Sequence, residues 1–152
     1  MKILFVCTGN TCRSPMAQAL FASIAHDKGL EVTVKSAGIF ASDAGKASPQ
    51  AVEALFEKSI PLNHFSAKLT EDLLREADYV FTMTMQHKQL IMEQYAHVKD
   101  KIFTLKEFAT GTEGDVSDPF GGSLSVYQET RDELEALLHQ LAEKLKKDRT
   151  SS

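Results

Sequence analysis

The sequence lacks the features that identify a secreted, membrane-bound or nucleic-acid-binding protein. Its 152 residues include only two cysteines, Cys7 and Cys12, which is too few for a disulfide scaffold and typical of reduced, reactive thiols. No segment approaches the ~20 consecutive apolar residues of a membrane span, and the apolar start is too short for a secretory signal. The 17 basic residues are outnumbered by 21 acidic ones, so there is no general basic surface. We therefore expect a cytoplasmic protein that binds neither nucleic acid nor a membrane.

Metal-binding and nucleotide-binding motifs are also missing. There is no H-E-x-x-H motif and no cysteine and histidine cluster, and the five histidines are scattered. The nucleotide-binding phosphate loop needs a Lys after its second Gly and a Ser or Thr for magnesium, and neither arrangement occurs. We expect no metal and no cofactor. With 43% hydrophobic and 25% charged residues, the chain suits one globular domain over 1–152, with a polar end at 146–152 that frays.

Four apolar segments are typical of buried strands, and helical patterns separate them. The predicted strands cover residues 2–6, 32–38, 79–83 and 101–104. Helices are predicted from Pro15 to Gly29, from Pro49, from Thr70, across 88–95, and along the leucine stripe at Leu134, Leu137, Leu138, Leu141 and Leu145. Helices between strands imply crossover connections. The pattern therefore predicts an α/β fold with a doubly wound four-stranded parallel sheet and helices on both faces.

Residues 7–14, Cys-Thr-Gly-Asn-Thr-Cys-Arg-Ser, join the first strand to the first helix. Backbone N–H groups in such a loop, together with a helix N-terminus, suit a phosphate. Gly9 is expected to let the backbone turn closely, and Arg13 offers a planar fork for two phosphate oxygens. These surroundings favour the thiolate of Cys7, to which the Ser14 hydroxyl can donate. A cysteine after a buried strand is more commonly a small core residue, but the combined context favours a functional loop.

Residues 6–15, V-C-T-G-N-T-C-R-S-P, resemble the signature of the low-molecular-weight protein tyrosine phosphatases, which are metal-free cysteine phosphatases. The resemblance extends through Ser36-Ala37-Gly38 and Asp118-Pro119-Phe120. It implies strand order 2-1-3-4, phosphorylated proteins as partners, and a cysteinyl-phosphate intermediate formed on Cys7. It also implies that the loop holds the phosphate through Thr8, Gly9, Asn10, Thr11, Cys12, Arg13 and Ser14.

Asp118 lies in a polar, glycine-rich stretch at 111–122 that is typical of a long surface loop. Asp-Pro is also a common turn signal, so the residues alone leave a turn and a catalytic acid equally open. The resemblance implies that Asp118 is the general acid, a role that typically contributes about 100- to 10,000-fold to the rate.

The resemblance assigns supporting roles to five positions. It implies that Asn10, Ser36 and His64, together with Ser14, hold the loop in a strained shape. His64 could instead be a partly buried polar residue without a role. Cys12 matches a family cysteine that traps oxidised Cys7 as a reversible disulfide, but a small buried thiol is an equally good interpretation, because sequence does not give the Cα separation.

Thr11 departs from the bulky Ile that most tyrosine phosphatases of the family carry, and resembles the bacterial branch that acts on phosphoarginine. Ile would crowd a guanidinium and leave its N–H groups unpaired, whereas Thr is smaller and has a hydroxyl. Asp118 can also accept from those N–H groups, and Phe120, which Gly121 follows instead of a second aromatic, can stack on a guanidinium. We therefore expect phosphoarginine to be favoured over phosphotyrosine. The resemblance implies that the substrates are regulators or chaperone-system proteins of the stress response.

Other classes fit the sequence less well. An arsenate reductase of the same fold needs cysteines beyond the loop, which this chain lacks. A redox-sensing thiol protein would not need Arg13 together with Asp118. A phosphate-reading module without catalysis would not need Cys7. A tyrosine phosphatase of the same family remains the main alternative.

Overall fold

A parallel four-stranded sheet forms the centre of the computed structural model, which describes residues 1–41 and 45–150. The strands are β1 (Lys2–Cys7), β2 (Thr33–Gly38), β3 (Tyr79–Thr82) and β4 (Ile102–Thr104). Their order is β2-β1-β3-β4, and every adjacent pair is parallel. The predicted fold class and strand order are both confirmed.

In the described part of the chain, six α-helices connect or flank the strands. They are α1 (Arg13–Asp27), α2 (Pro49–Phe56), α3 (Glu71–Glu76), α4 (Met85–Gln94), α5 (Leu105–Thr110) and α6 (Leu124–Thr150), with a single 3-10 turn at Ala96–Val98. Within the residues described, none of these helices combines the length and the apolar character needed to cross a bilayer.

The central strand β1 explains why helices cover both faces of the sheet. Its residues Ile3 and Phe5 pack into a large core with α1, α2, α5 and α6. The alternate residues Leu4 and Val6 pack on the opposite face with α3 and α4. Successive side chains of a strand point to opposite faces, so a strand buried on both sides reads as a continuous apolar run. This arrangement confirms the doubly wound topology.

The carboxyl end of β1 is the point where the sheet can bind a ligand. β1 pairs with β2 on one side and β3 on the other, so the connection from β1 to β2 and the later connection from β2 to β3 run in opposite directions across the sheet. Ligands of doubly wound folds bind in the crevice at such a switch point. Cys7 is the last residue of β1, and the loop 8–12 therefore lies at this crevice.

Three helices begin or end at other residues than the sequence predicted, and one helix was not predicted. α4 begins at Met85 instead of residue 88, because Thr84 caps it by accepting the His87 N–H. α1 begins at Arg13, so Pro15 is its third residue, where a missing N–H costs little. α5 was not predicted, although Thr104 and Glu107 form the reciprocal bonds of a capping box in front of it. α6 continues to Thr150 and includes residues 146–150 of the predicted polar end, whereas 151–152 lie outside the described residues. Fraying of that end stays a prediction.

Candidate active site

The loop 8–12 packs directly against the end of β2. Gly38 pairs with Cys7 in the parallel register, and a Cβ at Gly38 would lie 2.7 Å from the carbonyl oxygen of Thr8 and 2.8 Å from the amide nitrogen of Asn10. No side chain fits at that separation. The glycine of the Ser36-Ala37-Gly38 segment therefore allows the loop backbone to approach the sheet.

Asn10 takes the strained backbone conformation of the loop. Its φ is 56°, in the left-handed region, whereas Gly9 is not at positive φ. A Cβ at Gly9 would meet nothing closer than the Thr11 hydroxyl at 3.7 Å. The expectation that Gly9 supplies the tight turn was wrong, because the turn is stabilised by the hydrogen bonds of an asparagine side chain instead.

The Asn10 side chain, which is fully buried, has all its hydrogen-bonding groups satisfied. Its amide nitrogen donates to Ser14 Oγ at 2.8 Å and to Ser36 Oγ at 3.0 Å. Its amide oxygen accepts from His64 Nε2 at 3.1 Å and from the Ala67 N–H at 2.9 Å. His64 Nε2 also lies 2.9 Å from the Asn10 carbonyl oxygen, so this nitrogen carries the proton. One side chain thus links the loop, β2, α1 and the segment around His64.

Replacing Asn10 with alanine should lower the free energy of unfolding by about 2–4 kcal/mol, because it leaves several buried polar partners unpaired and keeps a left-handed φ. Asn10→Gly should lose about 1 kcal/mol less, since glycine relieves the backbone strain. Urea unfolding at pH 7 measures both. Asn63, which is exposed and directly precedes His64 in the sequence, provides the control. Asn63→Ala should change the unfolding midpoint little. Equal losses at both positions would contradict this account.

The sulfur of Cys7 is nearly inaccessible, with 3% of the residue exposed, and faces two donors. The Asn10 N–H lies 3.3 Å from Sγ, and Ser14 Oγ lies 2.8 Å away. Ser14 already accepts from the Asn10 amide, which leaves its hydrogen free for the sulfur. Both contacts stabilise negative charge on Cys7.

Arg13 lines the same cavity, and its guanidinium is fixed by a hydrogen bond on the side away from the cavity. One guanidinium nitrogen donates to the Val116 carbonyl oxygen at 3.0 Å, and the Val116 N–H donates to Met83, which follows β3. Another nitrogen lies 3.7 Å from Asp118 Oδ2. Arg13 is buried whereas the Asp118 side chain is 57% exposed, so the carboxylate stands at the mouth of the cavity above the guanidinium.

The loop after α5 brings Asp118 and Phe120 to the cavity. Asp118 Oδ1 accepts from the Phe120 N–H at 3.0 Å, which forms a local turn in the Asp-Pro-Phe segment. The Phe120 side chain is exposed. The cavity has a volume of about 220 Å³ and is lined by Cys7, Thr8, Gly9, Thr11, Cys12, Arg13, Asp118 and Phe120. The catalytic and selectivity residues proposed from sequence therefore meet in one space.

Cys12 is buried beside the cavity and contacts three hydroxyl groups. Its sulfur lies 3.2 Å from the Tyr127 hydroxyl, 3.6 Å from Ser48 Oγ and 3.6 Å from Thr11 Oγ1. Burial and the contact with Cys12 raise the pKa of Tyr127 above its usual value. Cys7 and Cys12 are both free thiols here. Their regulatory disulfide stays a prediction.

Sequence reasoning missed several residues that contact the predicted ones. Ser36 Oγ donates to Gln18 Oε1 at 2.6 Å, Tyr127 contacts Cys12, and His87 Nε2 lies 2.8 Å from Thr8 Oγ1. None of the three carries a local sequence signal, because each partner is distant along the chain. Burial lowers the pKa of His64 below its usual value, which favours the neutral ring.

A larger cleft, of about 760 Å³, lies between α1 and β2. The described residues that line it include Gln18 and His64 but no cysteine and no arginine. The cleft therefore contacts Gln18 and His64, which are hydrogen-bonded to Ser36 and Asn10, but it contains neither the Cys7 thiol nor the Arg13 guanidinium. We locate the candidate active site in the smaller cavity.

Comparison with known proteins gives similarity along the whole chain. The family described as low molecular weight phosphotyrosine protein phosphatase matches residues 2–151. The chain is 66% identical to a protein-arginine-phosphatase of Bacillus subtilis (strain 168) over 149 residues, which cover 98% of this chain and 99% of that protein. It is 52% identical to a protein-arginine-phosphatase of Geobacillus stearothermophilus over 145 residues, 95% of each. A solved structure of the YwlE arginine phosphatase, a C7S mutant with a phosphorylated active-site serine, is 64% identical and superposes with a TM-score of 0.97 over 100% of both chains.

Proposed function

Since the chain belongs to the low molecular weight phosphotyrosine protein phosphatase family, we propose that it is a protein arginine phosphatase that removes the phosphoryl group from phosphoarginine in proteins. The observation that carries the proposal is the 220 Å³ cavity in which Cys7, Arg13 and Asp118 meet beside Thr11. The two protein-arginine-phosphatases that match nearly the whole chain support the same substrate class. Phosphorylated proteins are its partners, and the low cysteine content, with two cysteines in 152 residues, supports a cytoplasmic location.

The phosphoryl group binds against the loop at the floor of this cavity. Arg13 is fixed by Val116, so its remaining N–H groups can form a fork for two equatorial oxygens. The loop amides and the N-terminus of α1 supply further positive charge. Because these donors are held in place before the substrate arrives, they stabilise the transition state without reorganising.

In the first step the Cys7 thiolate attacks phosphorus in line with the bond to the guanidino nitrogen. An S–P bond forms as the P–N bond breaks, and the electron pair of that bond leaves with the nitrogen. Asp118, in its protonated form, gives its proton to that nitrogen, so the product is an ordinary arginine guanidinium. Before the attack, Ser14 donates to the sulfur and stabilises it as a thiolate.

In the second step water hydrolyses the cysteinyl-phosphate. Asp118, now a carboxylate, accepts a proton from the water as its oxygen bonds to phosphorus. The S–P bond breaks and the sulfur leaves as the thiolate, helped by the donors from Ser14 and Asn10. Inorganic phosphate leaves, and the enzyme returns to its starting state without a cofactor.

Thr11 is the proposed determinant of substrate preference. Thr11 lines the cavity together with Asp118, and its hydroxyl would lie 3.7 Å from a Cβ at Gly9, where no side chain fills the space. A guanidinium is broad and rich in N–H groups, so it benefits from a small polar wall and from the Asp118 carboxylate. The exposed ring of Phe120 offers a stacking face.

Thr11→Ile should therefore lower kcat/KM for a phosphoarginine peptide by about 10- to 100-fold relative to the matching phosphotyrosine peptide. The added methyl group crowds the guanidinium, and the lost hydroxyl leaves an N–H group unpaired. The measurement compares both peptides, identical apart from the phosphorylated residue, with wild type and variant.

Thr112→Ile provides the control, because it makes the same chemical change in the exposed loop outside the cavity. It should leave the ratio of the two kcat/KM values unchanged. An unchanged ratio in Thr11→Ile as well would remove Thr11 as the determinant of substrate preference, whichever of the two peptides the wild type favours.

A further inference from the structure

A buried histidine outside the loop contacts the residue that follows the candidate nucleophile. His87 lies in the first turn of α4, and its Nε2 is 2.8 Å from Thr8 Oγ1. Thr8 itself is exposed and lines the cavity. The mechanism described above uses neither the His87 ring nor the Thr8 hydroxyl.

The surroundings of His87 keep its ring neutral. Only 6% of the residue is exposed. Burial, and then repulsion from Arg13, lower its pKa to about 4, although Asp115 and Asp118 act in the opposite direction. At neutral pH the ring therefore has one N–H group and one lone pair, and the hydrogen-bonding partners decide which nitrogen carries the proton.

The second ring nitrogen indicates that the proton is on Nε2. Nδ1 is buried and has no hydrogen-bond partner among the residues that the structure describes. A buried N–H without a partner is rarer than a buried acceptor without one, so the lone pair belongs on Nδ1. Nε2–H then donates to Thr8 Oγ1. The hydrogen of the Thr8 hydroxyl is left free, with no other partner for Oγ1 in the described part of the chain.

We propose that His87 is a positioning residue that orients the Thr8 hydroxyl to donate its hydrogen to a phosphoryl oxygen in the cavity. Thr8 shares this cavity with Cys7 and Arg13, so an anion bound there is the acceptor available to the hydroxyl. The inference deepens the proposed function, because it rests on a phosphoryl group occupying the cavity. It does not depend on whether that group comes from arginine or tyrosine.

The test is binding of inorganic phosphate, measured by titration calorimetry at pH 7. Thr8→Val removes the hydroxyl at nearly constant shape, and His87→Phe removes the donor to it. Each should weaken phosphate binding about 10-fold, as expected for one hydrogen bond to a charged group. The double variant should be no weaker than Thr8→Val, since both changes remove the same interaction. His87→Gln, whose amide can place a donor near the Nε2 position, should restore most of the affinity.

Ile91→Val is the matched control for damage to α4. Ile91 is buried on the same helix as His87, but it packs into the core around Leu4 and Val6. It should lower thermal stability while phosphate affinity stays at the wild-type value. Nitrogen NMR of the wild type should show His87 protonated at Nε2, with its resonance shifting when phosphate is added.

Additive losses in the double variant, or a His87→Gln protein as weak as His87→Phe, would overturn the positioning role. A Thr8→Val protein that binds phosphate normally but loses only phosphoarginine turnover would also overturn it, since the hydroxyl would then contact the guanidinium. A wild-type protein that binds phosphate but hydrolyses neither phosphopeptide would refute the proposed function alone, because phosphate affinity is measured separately.

Discussion

Cys7→Ser should abolish multiple turnover of every phosphorylated substrate, with a loss of at least about 10,000-fold in kcat, as is usual when a catalytic nucleophile is removed. A serine hydroxyl keeps its proton at neutral pH and is a far weaker nucleophile than a thiolate. The donors around the position remain, because Ser14 and the Asn10 N–H belong to other residues. Inorganic phosphate should therefore bind with an affinity within a few-fold of that of the wild type.

Steady-state rates, phosphate titration and thermal unfolding of the same Cys7→Ser preparation separate lost chemistry from lost structure. Retained phosphate binding and retained stability identify the defect as the missing nucleophile. Turnover at the wild-type rate would refute a covalent mechanism through Cys7. Loss of phosphate binding together with turnover would mean that the sulfur maintains the loop itself.

Asp118→Asn should lower the rate of the first step with phosphoarginine, in which the cysteinyl-phosphate forms, by about 100- to 10,000-fold, the usual contribution of a positioned general acid. An amide has no acidic proton to give to the guanidino nitrogen as the P–N bond breaks. The loss should be much smaller for nitrophenyl phosphate, whose leaving group departs without being protonated. Single-turnover measurements with the two substrates isolate the first step from hydrolysis of the intermediate.

Asp115→Asn is the matched control for Asp118→Asn. Asp115 lies in the same loop, carries the same charge, and accepts the Met85 N–H through Oδ1, which an asparagine retains. It should leave kcat for both substrates within a few-fold of wild type. If the two variants lose equal activity, the effect is electrostatic or structural, and Asp118 is not the acid. Equal losses of the first-step rate on both substrates in Asp118→Asn would contradict proton donation in the same way.

The fold could be predicted from sequence because its signals are local. The apolar run at the start of the chain gave the central strand, and the alternation of strands with helices gave a parallel sheet. α5 was missed because its capping box, Thr104 with Glu107, follows directly on a strand and the helix is only six residues long. A short helix between two loop-like segments has little periodicity to detect.

The candidate site was only partly predictable from sequence, because many of its contacts join residues that are far apart along the chain. Cys7, Arg13 and Ser14 lie within one local motif, so sequence brings them together. The contacts of Asn10 with His64, of Thr8 with His87 and of Cys12 with Tyr127 span 54, 79 and 115 residues. No local pattern encodes such pairs. For Asp118, the local sequence is equally consistent with a turn and with a general acid, and only the family resemblance implies the acid.

The most direct test of the central claim is kcat/KM of the wild-type protein on two peptides that differ only in carrying phosphoarginine or phosphotyrosine, measured with a metal chelator present. The account predicts hydrolysis of both under these conditions, with phosphoarginine favoured by at least about 10-fold because Thr11 leaves room and a hydroxyl for the guanidinium. A phosphotyrosine peptide hydrolysed equally well or better would contradict the proposed substrate class, and no hydrolysis of either would contradict the phosphatase function.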